Sequence, residues 1–136
     1  MARVLLVCGR VRILVVDPEP RQLETICRGL FVFGHEVMPA ATADDAAGLL
    51  GRRHIRGFDL LLTDIRTLDH RGIALFDVVH GMVPSLPTLI MTGLTNPADI
   101  GALRALGTAV LVKPFTPDDL DAAVRAVARE RDAVAR

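Results

Sequence analysis

The chain has 136 residues, 51% of them hydrophobic and 24% charged, which is the composition of one globular domain and not of a disordered chain. Sixteen basic residues balance sixteen acidic ones, so the basic excess expected of a nucleic-acid module is missing. With no Trp, no Tyr and five Phe, the chain also lacks the aromatics of a base-stacking surface.

Residues 1–11 read as an extension to a domain spanning 12–136. Within it, Arg3-Val-Leu-Leu-Val repeats in miniature the Arg12-Ile-Leu-Val-Val that follows. The preferred reading is an upstream start codon ahead of Val11, with a poorly ordered terminus. An added edge strand or a dimerisation arm is the alternative. Arg12 to Asp17 is a β-branched-rich strand ending at an acid. Over residues 19–33, Leu23, Ile26, Cys27, Leu30 and Phe31 recur with helical period, and Gly34 closes that helix. His35 to Ala40 is a second strand. Thr42, with Asp45 three residues on, caps a helix that runs to about Gly51. Phe58 to Thr63 is a third strand, ending at Asp64, and Ile73 to Met82 a third helix. Leu86 to Thr92 is the fourth strand. Asn96-Pro97 starts a helix that Gly107 stops. Thr108 to Val112 is the fifth strand, and Thr116-Pro117 opens a last helix with Leu120, Val124 and Val127 on its apolar stripe.

Strict alternation of apolar strands with amphipathic helices predicts an α/β, doubly wound, five-stranded parallel sheet covered on both faces. Ligands in such sheets sit at the carboxyl ends of the strands. Asp17, Glu19, Asp64, Thr92 and Lys113 all fall there. Clustered carboxylates call for a cation, and Mg²⁺ with oxygen ligands is the expected one where phosphate also binds. Lys113 and Thr92 could hold phosphoryl oxygens, and Asp64, after the central strand, is the natural carboxylate nucleophile. Each residue alone has an ordinary reading as a cap, turn or strand terminus. Their joint placement is the signal.

Arg12-Ile-Leu-Val-Val-Asp17, Leu60-Leu-Leu-Thr-Asp64-Ile-Arg66, Ile90-Met-Thr92-Gly93 and Leu111-Val-Lys113-Pro114-Phe115 together resemble the receiver domain of two-component response regulators, from about Arg12 to about Ala128. The resemblance implies a flavodoxin-like (βα)₅ fold with strand order 2-1-3-4-5. It implies phosphorylation of Asp64 by a histidine kinase or histidine phosphotransfer protein, with Mg²⁺ held by Asp17, Asp64 and the main-chain carbonyl of Arg66. Thr92 and Lys113 would contact the phosphoryl group, and the bond to Pro114 would be cis. It also implies a cytoplasmic phosphoprotein that is not an enzyme beyond slow autodephosphorylation, and that signals to an unknown downstream protein.

Four departures from the family pattern stand out. Pro18 replaces a metal-binding acid; Glu19 is a candidate substitute ligand, although it stands where the family has a helix-starting Glu with no metal role. Val110 stands where an aromatic switch residue is common, partnering Thr92. Leu68 replaces a loop proline, although Gly72 is kept. Thr108-Ala109 lacks the acid of one known dimer interface, which makes that homodimer less expected. The leading reading is a stand-alone phosphorylatable receiver in a two-component system or phosphorelay. Its rivals are a phosphorylation-independent receiver-like binding module, motivated by Pro18, and a small flavodoxin-like phosphatase.

Neither nucleic acid nor a membrane is an expected partner, since the apolar run Val4 to Cys8 is far below the roughly 20 residues of a membrane span. Cys8 and Cys27 lack metal or disulfide spacing, which fits a reducing compartment. Cys27 falls on a core face. His35, His54, His70 and His80 are scattered, with no ligand or phosphotransfer spacing.

Overall fold

The computed structural model describes residues 10–52, 57–64, 85–105 and 107–135. The extension up to residue 9, the third helix expected at 73–82, and His54, Arg66, Leu68, His70, Gly72 and His80 lie outside them. In chain order the described elements are β1 (Arg12–Val16), α1 (Pro20–Val32), β2 (Glu36–Ala40), α2 (Ala43–Arg52), β3 (Leu60–Asp64), β4 (Thr88–Thr92), α3 (Pro97–Ala105), β5 (Ala109–Val112) and α4 (Pro117–Ala135). The five strands form one parallel sheet in the order β2-β1-β3-β4-β5. The doubly wound sheet and its strand order are therefore as expected.

Alternate strand residues divide the core into two layers. Ile13, Val15, Leu60, Leu62, Leu89 and Met91 pack on one face with Ile26 and Leu30 of α1 and Leu120, Val124 and Val127 of α4. Leu14, Val16 and Leu61 pack on the other with Ala46 and Leu50 of α2, Phe58 and Leu86. Side chains buried on both faces explain why the strands read as unbroken apolar runs. At the edge, β2 tolerates Pro39 because it pairs with β1 alone.

Helix ends follow local chemistry. The N–H of His35 donates to the Leu30 carbonyl and that of Gly34 to Phe31, a Schellman closure of α1 with Gly34 at φ +91°. Thr42 Oγ1 accepts from Asp45 N at 3.0 Å, and Asn96 Oδ1 accepts from Ala98 N at 2.8 Å. At α4, Thr116 Oγ1 accepts from Asp119 N while Asp119 Oδ2 accepts from Thr116 N, a reciprocal capping box. No helix among the described residues is long and apolar enough to cross a membrane.

Candidate functional site

Four of the residues marked by the sequence meet at the carboxyl edge of the sheet. Asp17 follows β1, Asp64 ends β3, Thr92 ends β4 and Lys113 follows β5. Asp17, Asp64 and Thr92 are fully buried. A buried carboxylate is costly without compensation. Lys113 supplies it: its Nζ donates to Asp64 Oδ2 at 2.6 Å, and its side chain keeps 26% of its surface exposed. Lys113 is also the only lysine in the chain; every other Lys/Arg position is arginine.

The backbone around these groups is tied locally. Asp17 N donates to the Ala40 carbonyl at 3.1 Å, and Asp17 Oδ1 accepts from Glu19 N at 2.8 Å. Lys113 N donates to the Thr92 carbonyl at 2.7 Å, which joins the ends of β4 and β5. Thr92 Oγ1 accepts from Leu94 N at 3.0 Å. The Lys113–Pro114 peptide is cis. Val110 lies in β5, half-buried, in register with Ile90.

Of the two readings open for Glu19, helix-starting residue and substitute ligand, the structure shows the first. Glu19 is the N-cap of α1: its Oε1 accepts from Arg21 N at 3.1 Å and its Oε2 from Gln22 N at 2.8 Å. Both carboxylate oxygens thus serve the helix start. Gln22, which the sequence reading passed over, reaches the centre of the pocket. Its Nε2 donates to Asp17 Oδ2 at 2.5 Å and to Asp64 Oδ2 at 3.0 Å. The available signal was positional, because Glu19-Pro20 marks a cap and a first helical residue, which puts Gln22 on the opening turn beside Asp17.

Farther along α1, Cys27 has its thiol pushed up to about 11, by burial first and by the Asp17 charge second. The group is protonated at neutral pH and belongs to the packing around the α1–α4 layer.

A family model described as the response regulator receiver domain matches residues 13–125. The chain belongs to that family. The receiver resembles ZraR, a transcriptional regulatory protein of Salmonella typhimurium, at 32% identity over 129 residues, covering 91% of this chain and 28% of that protein. It also resembles PrrA, a transcriptional regulatory protein of Mycobacterium tuberculosis, at 31% identity, covering 91% of this chain and 52% of that one. The receiver therefore spans between 28% and 52% of the length of these two relatives. Among solved structures, a CheY-like receiver protein from Methanospirillum hungatei aligns with a TM-score of 0.77 at 27% identity, covering 91% of this chain and 98% of that one. A receiver domain protein from Clostridium thermocellum, at 22% identity and a TM-score of 0.80, shares the fold over 91% of this chain and 98% of that one.

Receiver domains generally bind Mg²⁺ in their acidic pocket. A hard cation of that size needs near-octahedral oxygen ligation. Here Asp17 and Asp64 offer carboxylates, Pro18 offers none, and Glu19 is turned to the helix. Between the two carboxylates stands the N–H₂ group of Gln22, whose hydrogens point at the oxygens a cation would take. Among the described residues, no group of three or more His, Cys, Asp or Glu side chains could hold a metal ion. Among the described residues, the place a cation would take between Asp17 and Asp64 is held by the Gln22 amide.

Proposed function

We propose that this receiver is a phosphorylatable switch of a two-component system or phosphorelay, acting in the cytoplasm through protein–protein contacts. The observation that supports it best is the 2.6 Å pair between the single lysine and the buried carboxylate ending the central strand. In the transfer, an Asp64 oxygen attacks the phosphorus of a phosphohistidine on a histidine kinase or phosphotransfer protein. A P–O bond forms, the P–N bond breaks, and its electron pair leaves with the imidazole. Asp64 then carries an acyl phosphate.

Lys113 offers a compact charge for the phosphoryl oxygens once Asp64 is phosphorylated. The Thr92 hydroxyl, already accepting from Leu94 N, keeps its own proton to donate to a phosphoryl oxygen. The phosphoryl group shifts the molecule toward whichever conformation binds it more favourably. Helix α1 is the proposed docking element for the phosphodonor, and α3, β5 and α4 form the output face. With Val110 in place of an aromatic ring, that output does not run through an inward-swinging side chain.

Intact-mass measurement after incubation with acetyl phosphate, with and without Mg²⁺, tests this reading alongside Asp64→Asn. The expected result is one phosphoryl adduct in the wild type and none in the variant. Absence of an adduct in the wild type under every condition would instead make the chain a phosphorylation-independent binding module.

A further inference from the structure

We propose that Gln22 stands in for the cation of the pocket: its amide bridges Asp17 and Asp64, and a divalent ion binds only by displacing it. The inference deepens the receiver reading and rests on it for the identity of the pocket.

A side-chain amide nitrogen has two hydrogens, and here each goes to a different fully buried carboxylate. Hydrogen bonds to ionised acceptors are the strong ones, so this bridge draws the two carboxylates together as a cation would. It does so without net charge, and its positive hydrogen ends occupy the space between the two Oδ2 atoms. An ion cannot share that space with them. Binding Mg²⁺ therefore costs the bridge.

The position of Gln22 is set by the fold. Its backbone N–H is fixed by Glu19 Oε2, Pro20 opens the helix two residues earlier, and the Glu19 N–H is held by Asp17 Oδ1. One short loop thus connects the acid, the cap and the amide. Pro18 completes the logic. A third carboxylate at that position would add a negative charge that a neutral amide cannot balance. Among the described residues, two carboxylates, one ammonium and one bridging amide are closer to balance. Pro18 and Gln22 therefore act together: one withholds a third carboxylate, and the other bridges the two that remain.

The test is Mg²⁺ binding to the unphosphorylated protein, by calorimetric titration and by the shift in melting temperature at constant ionic strength. The proteins are wild type, Gln22→Ala and Gln22→Glu. Removing two charge-assisted hydrogen bonds that compete with the ion should tighten Mg²⁺ binding in Gln22→Ala by about tenfold or more. Gln22→Glu keeps the side-chain length, removes the donors and adds a carboxylate. It should melt lower than wild type without Mg²⁺ and regain stability as Mg²⁺ is added, which keeps the proposal testable if the alanine variant folds poorly.

Equal Mg²⁺ affinity in wild type and Gln22→Ala would overturn the proposal and leave Pro18 as the whole explanation of a weak site. Weaker binding in Gln22→Ala would overturn it too, by making the Gln22 amide oxygen a ligand. Neither result touches phosphorylation of Asp64, which the intact-mass experiment reads separately.

Discussion

One ammonium faces two buried carboxylates at the carboxyl edge of this sheet, and residue chemistry decides how they coexist. Lys113 neutralises Asp64 directly, and the Gln22 amide spans the remaining gap to Asp17. The charge left on Asp17 is felt along α1. Burial and that charge together hold Cys27 protonated to about pH 11, against 9.0 for an ordinary thiol. The folded state then binds this proton more tightly than the unfolded chain does. Its stabilising contribution is complete below pH 9 and is lost as the pH rises from about 9 to about 11. Denaturant melts of wild type and Cys27→Ala across that range check the sign: the wild type should lose stability relative to the variant as the pH rises. Native Cys27 should also react slowly with thiol reagents at pH 8. Its place on the core face was legible from helical periodicity. Its coupling to Asp17 was not, because that depends on where the first turn of α1 sits against the end of β1.

At the scale of elements, the start of α1 does two jobs. Glu19 satisfies the N–H groups of Arg21 and Gln22, and by fixing the latter it aims the Gln22 side chain into the pocket. The sequence leaves Glu19 two roles, starting a helix or replacing a metal ligand; in three dimensions the nearest donors are helical N–H groups, and these take both oxygens. Loss of that cap in Glu19→Ala should destabilise the protein by about 1 kcal/mol, measured by urea unfolding. The first turn of α1 should fray with it, raising amide hydrogen exchange at Arg21 and Gln22 above that of the middle of the helix. Elsewhere the caps were readable: Thr42, Asn96 and Thr116 each bond an opening N–H, and Gly34 and Gly107 take positive φ where helices stop. The strand starts expected at His35, Phe58, Leu86 and Thr108 lie one or two residues ahead of the first residue of each strand, because a buried side chain stands before each strand begins.

Across the whole molecule, the architecture was legible because five buried parallel strands each needed an unbroken apolar run, and each run ended in a chemically distinct residue. What the sequence could not show was a second polar cluster formed by groups far apart in the chain. His35 and Val11 immediately precede β2 and β1, at the edge away from the pocket. Val11 N donates to His35 Nδ1 at 3.0 Å, so the ring proton lies on Nε2 and meets Asp121 Oδ1 at 2.6 Å. Asp121 also pairs with Arg125, which reaches the Phe33 carbonyl at 3.4 Å. One buried imidazole therefore ties the start of the sheet, the end of α1 and the side of α4 together. The histidine passed over in the sequence as scattered is structural. His35→Ala removes the acceptor of a buried N–H and a partner of a carboxylate, and should cost about 2–3 kcal/mol in denaturant unfolding. Asp121→Ala should cost a similar amount. Because both act on one network, the double variant should lose less than the sum of the two. Phosphoryl transfer to Asp64 should be unchanged in each variant while it remains folded, since this cluster braces the edge of the sheet opposite the pocket. An additive double variant would mean that His35 and Asp121 act separately, as two local packing contacts rather than one tie between α1 and α4.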